Sequence, residues 1–300
     1  MKRTTPVYLL LLLAHFLANN ASAAPYGSGW YQEIQASIGY EDNVARSYRA
    51  VDDTDDVVSS VAAGIGYSSK VRENLQLVWS GYIAYNHHDE FDKLNNITTS
   101  LGLSLAYQPN TSFDSHWYES TIQVSRLDYK DNDAREGYLV TGDASINRRL
   151  GMMTTGRIGY RYTDLVFDKT AAQKNRDAAF DVARHEIFIG IDRSLSDRLS
   201  AVAEYGYQHG GFTWSVSGSP NPLFYEVASK DSAFSTCTSG GCDNWMAYRS
   251  VVDIHMIDVG LAYSLDLVNF DLSARYYRAG GSAGPNYSDW LIQIGALWNF

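Results

Sequence analysis

The sequence has no apolar run long enough to cross a membrane as a helix. Such a span needs about 20 mostly apolar residues, whereas the longest candidate, Val7 to Leu13, is soon followed by His15 and Asn19. Proline is scarce, with 6 residues in 300. The formal net charge is -10 and no basic stripe is present. These features argue against a bundle of membrane-spanning helices and against a nucleic-acid partner.

The first 23 residues have the features of a secretory signal peptide. Lys2 and Arg3 give a positive start, a short apolar segment follows, and residues 21–23 form a small-x-small cleavage site. We therefore expect export, with the mature chain beginning near Ala24 and forming one domain over residues 24–300.

Cysteine is almost absent. Cys237 and Cys242 lie close together in a polar stretch, and no histidine neighbours them to complete the ligand set of a closed zinc site. In an oxidising compartment such a pair is expected to form a small-loop disulfide. We expect no metal and no cofactor.

The mature sequence repeats one pattern, in which apolar residues occupy every second position and polar residues follow. The segment 75–85 shows it with Leu75, Leu77, Trp79, Ile83 and Tyr85. This period is that of a β-strand with one apolar face, whereas a helix needs spacings of three and four. The other predicted strands cover residues 31–40, 57–67, 97–107, 117–129, 138–150, 154–162, 185–195, 199–207, 251–263, 270–276 and 291–300.

The last ten residues, LIQIGALWNF, alternate in the same way and end on Phe300. This segment resembles the closing strand of Gram-negative outer-membrane β-barrels, whose terminal aromatic residue is read by the barrel-assembly machinery. The resemblance implies a transmembrane, antiparallel, up-and-down β-barrel of about twelve strands. It further implies location in the Gram-negative outer membrane, contact with membrane lipid and lipopolysaccharide, and Phe300 as the assembly signal.

The connections alternate between short and long, as expected for a barrel with short periplasmic turns and longer outer loops. The longest predicted loop runs from His209 to Ala247. Within segment 117–129 the apolar phase changes between Val124 and Leu127, which predicts a β-bulge. Tyrosines at strand ends predict belts at the membrane interfaces; they are Tyr40, Tyr67, Tyr85, Tyr107, Tyr129, Tyr160, Tyr207 and Tyr263.

The non-apolar phase of these strands would line the lumen, and it carries small, hydroxyl and charged residues. Either the charges pair across the lumen as a structural network, or they leave a charged path for a solute; the sequence leaves both open. The predicted lining residues are Arg149, Arg157, Arg161, Arg184, Glu186, Asp192, Glu204, Asp271 and Arg275.

The segment Ile38 to Val44 resembles the start of porin-like barrels linked to exopolysaccharide export and of surface lipoprotein assembly modifiers. That resemblance implies a periplasmic or polysaccharide partner. Acidic and histidine side chains near strand ends are candidates for rim hydrolysis; they are Asp52, Asp53, Asp55, Asp56, His87, His88, Asp89, Glu90 and His209. None fits a recognised catalytic motif.

We therefore expect a non-enzymatic channel for small polar solutes such as sugars or oligosaccharides. An assembly barrel for polysaccharide or surface-protein export and a rim hydrolase are the alternatives.

Overall fold

The computed structural model describes residues 28–110, 112–167, 179–218, 220, 222–235, 237–238, 241–242, 244–280 and 286–300. The predicted signal peptide lies outside these ranges. The strands are β1 (Gly29–Glu41), β2 (Asp56–Arg72), β3 (Leu75–His88), β4 (Asn96–Tyr107), β5 (His116–Tyr129), β6 (Gly137–Gly151), β7 (Thr154–Phe167), β8 (Val182–Ser194), β9 (Leu199–Ser217), β10 (Val227–Lys230), β11 (Cys237–Thr238), β12 (Gly241–Cys242), β13 (Trp245–Ser264), β14 (Val268–Gly280) and β15 (Tyr287–Asn299).

Twelve of these strands form a closed antiparallel barrel. Each of the twelve pairs with its neighbours along the chain, β9 pairs with β13 across the longest connection, and β15 returns to pair with β1. Strand β10 adds to β13, and β11 pairs only with β12. Closure leaves no unpaired barrel edge. The predicted all-β barrel and its twelve strands are confirmed.

The barrel turns its apolar phase outward. On β3, Trp79 and Ile83 are 55% and 54% exposed, whereas Tyr82 and Asn86 point inward and are buried. The same alternation recurs on the other barrel strands. An outer surface of this kind suits lipid contact, since only every second residue of a barrel strand faces the membrane. Among the described residues, no helix is long and apolar enough to span a membrane.

The connections lie alternately at the two ends of the barrel. The turn end carries those after β2, β4, β6, β8 and β13, together with Ser28 and Phe300, and the loop end carries the others. The turn-end connections have two to four residues except the one after β4, which has eight and is longer than the loop-end connections after β3, β5 and β14. The predicted loop from His209 to Ala247 is too long, because β9 continues to Ser217 and β13 begins at Trp245. These extensions pair residue by residue, Ser217 opposite Trp245.

Two further predictions, a bulge in β5 and Tyr129 as a belt residue, are wrong for the same reason. No bulge interrupts β5, whose register with β4 and β6 is continuous. Leu127 and Tyr129 keep the inward phase and are buried, 2% and 7% exposed, in an apolar cluster with Leu94, Leu139 and Phe234. Tyr129 is therefore not a belt residue; the other seven predicted belt tyrosines point outward and are exposed. These inward residues are apolar because loops fold into the loop end of the barrel and pack against them.

Candidate functional site: the lumen and its loop plug

One side of the lumen is a wall of paired charges on β6 to β9, β13 and β14. At its centre Arg161 donates from Nε to Asp143 at 3.1 Å and from Nη1 to Glu186 at 2.7 Å. Its guanidinium also stacks over Phe188, 4.7 Å from the ring centroid. These partners face one another because Asp143, Arg161 and Glu186 are directly opposite in the register of β6, β7 and β8.

A second row of paired charged residues lies on the same wall. Arg157 pairs with Glu204 at 2.7 Å, and Arg275 pairs with Asp258 while donating to the Tyr277 hydroxyl at 2.9 Å. Glu204 lies 4.0 Å from Arg161, which joins the two rows. Arg157, Arg161 and their acidic partners therefore form one connected ion-pair network, and the Arg275–Asp258 pair lies beside it, with Asp258 opposite Glu204 in the register.

The facing wall, on β2 to β5, is lined by hydroxyl and amide groups. Ser100 and Ser125 lie 2.8 Å apart, and Ser104 and Thr121 lie 2.9 Å apart. Ser60 Oγ donates to Asn86 at 2.7 Å. The larger side chain of Tyr82 also points inward on this wall and packs against Val58, Ala62 and Ala84. A solute in the lumen would meet hydrogen-bonding groups on this side and charges on the other.

The predicted lining residues fall on the inward phase, in three environments. Arg161, Arg184, Glu186, Glu204 and Arg275 are buried within the charged wall, whereas Arg157, Asp192 and Asp271 are half-buried. Arg149 is exposed at the turn end, where its guanidinium lies 5.4 Å from the Phe113 ring centroid.

The sequence-based set lacked several inward acids; they are Glu33, Glu41, Glu119, Asp143, Asp258 and Asp289. The strand phase contained the signal, since each occupies the polar phase of its strand. Asp258 lies directly opposite Arg275 and pairs with it. This pair can be recognised only when the register of β13 and β14 is known.

The loop end is filled by a loop plug, which we define as the described residues of segments 42–55, 89–95, 130–136 and 218–244. A buried salt bridge joins two of its segments, with Arg135 Nη2 2.6 Å from Asp231. Phe91 packs edge-on against Phe234 with ring centroids 4.8 Å apart. Lys93 donates to the Ser232 carbonyl at 3.2 Å.

The extended β9–β13 ribbon anchors the plug to the barrel. Phe212, Trp214 and Val216 point inward and are at most 1% exposed. Ser215 donates its backbone N–H to the Ala45 carbonyl at 2.8 Å, and Trp214 packs edge-on against Tyr48. The first loop and the β9–β13 ribbon therefore share one apolar core inside the barrel.

The lumen is consequently shaped like a cup. Inward residues near the loop end are buried, whereas many near the turn end are half-exposed, although Glu33, Ser68, Asn147 and Leu297 are buried there too. A cavity of about 200 Å³ lies at the turn end, lined in part by Thr155, Asp192, Ser200 and Val202. The plug lies at the opposite end of the barrel.

The rim candidates for hydrolysis do not all come together, although Asp56 lies close to Asp89 and Glu90. His87 and His88 point to opposite faces; His87 stacks on Tyr85, while His88 is buried inside. His209 lies on β9, where it contacts Asp253 at 2.8 Å on the outer surface. Asp89 and Glu90 follow β3 at the loop end. Within the described residues, no group of three or more acidic, histidine or cysteine side chains is arranged to hold a metal ion.

The acidic residues of the first loop have structural contacts. Asp52 is buried, accepts a hydrogen bond from Ser217 and lies 3.4 Å from Arg49. Asp55 accepts a hydrogen bond from Tyr40 at 3.1 Å, and Asp56 accepts one from the N–H of Val57. Partial burial, together with neighbouring Asp42 and Asp55, raises the pKa of Asp53.

The backbone places the two cysteines opposite each other. Cys237 on β11 is the direct cross-strand partner of Cys242 on β12. Directly opposed residues of an antiparallel pair have Cα atoms about 4.5–5.5 Å apart, which is within the span of a disulfide. The disulfide remains a prediction.

No protein-family model matches the sequence, and no curated protein is similar to it at the sequence level. Solved structures do share its architecture. An outer-membrane channel from Pseudomonas putida F1 is 8% identical with a TM-score of 0.57, covering 92% of this chain and 96% of its own. The translocator domain of the autotransporter NalP from Neisseria meningitidis is 14% identical with a TM-score of 0.49, covering 97% and 95%.

The similarity to the Pseudomonas channel is one of fold. Together with the closed twelve-strand barrel and its apolar outer surface, it defines the class of fold: an antiparallel β-barrel with the architecture of outer-membrane barrels.

Proposed function

We propose that the protein is a channel of the Gram-negative outer membrane that passes small polar solutes, and that the loop plug gates it. The observation that carries this proposal is the cup itself. A hydrogen-bonding wall and a charged wall enclose a polar lumen with half-exposed residues at the turn end, and the described residues of the plug pack into the loop end. Sugars and oligosaccharides suit such walls, because hydroxyl and amide groups can replace their hydration.

The outer face of the barrel supports the location. A band of outward apolar residues with tyrosines near its borders fits the hydrocarbon core and its interfaces. With both termini in the periplasm, the plug would face the cell exterior. Lipopolysaccharide and membrane lipid would then surround the apolar band.

Conductance in planar bilayers tests the channel. We expect the refolded mature protein to open rarely, and Phe234→Ala or Arg135→Ala to increase the open probability by loosening the plug. Arg278→Ala is the matched control, because Arg278 also lies near the loop end, on β14, but is exposed on the outer surface. Folding of each variant is checked by heat-modifiable gel mobility. Silent bilayers for all correctly folded variants would refute the channel.

An assembly or export barrel is the second candidate, favoured by the closed loop end. Asn43, in the segment similar to export barrels, holds its loop by accepting from the N–H of Ser47 and donating to the Ser47 carbonyl. Such a barrel would stay closed after the plug is loosened and would co-purify with a periplasmic partner. Conductance steps that increase on Phe234→Ala would exclude this role as the sole one.

A further inference from the structure

We propose that the lumen selects against anions, so that neutral and cationic solutes, such as sugars and amino sugars, pass in preference to sugar acids. This inference rests on the proposed channel and specifies its solutes. It is based on the charged wall, where carboxylates are more exposed to the lumen than most arginines are.

Most of the charged side chains that face water inside the barrel are carboxylates. Their half-buried side chains line the turn-end part of the lumen; they are Glu119, Asp143, Asp192, Asp258 and Asp271. Two inward arginines share this surface: Arg157, which is paired with Glu204, and Arg149, which is exposed at the turn end. The aqueous part of the cup is therefore acid-rich.

The other lumen arginines are withdrawn into the wall. In the pair with Asp143, the Arg161 side chain is 6% exposed and the aspartate 18%. In the pair with Asp258, Arg275 is 7% exposed and the aspartate 21%. Each pair thus buries its guanidinium and presents its carboxylate to the lumen. An anion would have to break such a pair to reach Arg161 or Arg275.

Two acids add charge without an arginine partner. Asp192 and Asp271 form no salt bridge within the described residues, and Asp271 Oδ2 has no hydrogen-bond partner there. Asp271 lies over Gly295, where an added Cβ would come within 2.5 Å of Oδ1, so the glycine provides the space for this carboxylate.

The side-chain amide oxygens of two inward glutamines add further hydrogen-bond acceptors to the carboxylates. Gln35 and Gln293 point inward, are 5% and 3% exposed, and have Oε1 atoms without a hydrogen-bond partner among the described residues. Gln293 lies on β15 opposite Ser273, beside the position of Asp271. Buried acceptors favour donors, and cations above all, because an unpaired buried acceptor is costly. Acidic linings concentrate cations in confined water and repel anions.

The reversal potential in a KCl gradient tests this inference, measured on Phe234→Ala so that the channel is open. We expect K⁺ to be favoured over Cl⁻, and Asp192→Asn and Asp271→Asn to move the reversal potential toward zero. Neither change leaves an arginine without its partner. The matched control is Asp164→Asn on β7, whose position lies in the outward phase and which should not move the potential.

Liposome swelling supplies the second readout. Glucose and glucosamine should enter faster than glucuronate, and Asp271→Asn should narrow the difference. Chloride preference, or reversal potentials unchanged in both lumen variants, would overturn the inference while leaving the channel intact. Absence of any conductance would instead overturn the channel, and the inference with it.

Discussion

Arg161 shows how a single side chain organises the lumen. It is 5% exposed and satisfies both Asp143 and Glu186, the latter 3% exposed. Arg161→Ala should destabilise the barrel by about 3–5 kcal/mol, because removing one partner leaves buried charge uncompensated. Urea unfolding of the protein refolded in lipid vesicles, followed by tryptophan fluorescence, measures this loss.

Arg148→Ala is the control for that experiment. Arg148 lies on the same strand, β6, but is exposed. A change within about 0.5 kcal/mol is expected at such a surface position. Equal losses for the two variants would show that the Arg161 network contributes nothing specific.

The cysteine pair gives a second prediction at the residue scale. Because Cys237 and Cys242 are cross-strand partners, the exported protein should resist maleimide labelling until it is reduced. Cys237→Ser should make Cys242 react without reduction. Immediate labelling of both thiols in the native exported protein would contradict the disulfide.

At the scale of the element, β15 closes the barrel through its backbone. Phe300 donates its N–H to the Gln32 carbonyl at 2.9 Å and accepts from the Gln32 N–H at 3.3 Å, while its ring is 68% exposed. Phe300→Ala should therefore leave refolding in vitro unchanged. It should lower the amount of barrel inserted in the outer membrane of cells, if the ring is the assembly signal.

Phe270→Ala provides the comparison, because Phe270 is also an outward aromatic residue, 46% exposed, but lies within β14. Insertion levels in cells and gel mobility after refolding are measured for both. Normal insertion of the Phe300 variant would remove the assembly role of the terminal residue.

Several elements could be predicted from local sequence, and others could not. Strand β3 was clear because Leu75, Leu77, Trp79, Ile83 and Tyr85 share one apolar phase. The end of β9 was missed because its inward residues, Phe212, Trp214 and Val216, are apolar as well. A strand that is apolar on both faces loses the period on which the prediction depends.

At the scale of the whole molecule, the cost of an introduced charge should depend on whether the substituted residue faces the membrane or lies outside the apolar band. Leu101 is 71% exposed in the middle of β4. Leu101→Arg should cost about 2–4 kcal/mol in lipid, as expected for arginine at the bilayer midplane. Unfolding in lipid vesicles checks this value.

Val51→Arg is its counterpart outside the apolar band. Val51 is equally exposed, at 75%, but lies in the loop between β1 and β2. Its substitution should change stability by no more than about 0.5 kcal/mol. Similar costs at both positions would contradict the assigned membrane-facing surface.

The sequence by itself determined the barrel, since alternation along each strand is a local property that depends only on which residues must face lipid. The strand number followed from it, and so did the order of short and long connections, except for the eight-residue connection after β4. Only the tertiary structure decided that the lumen is closed at the loop end, because the plug depends on contacts such as Arg135 with Asp231, which lie 96 residues apart. The pairing of the lumen arginines was decided in the same way, since strand register chooses the partner of each charge.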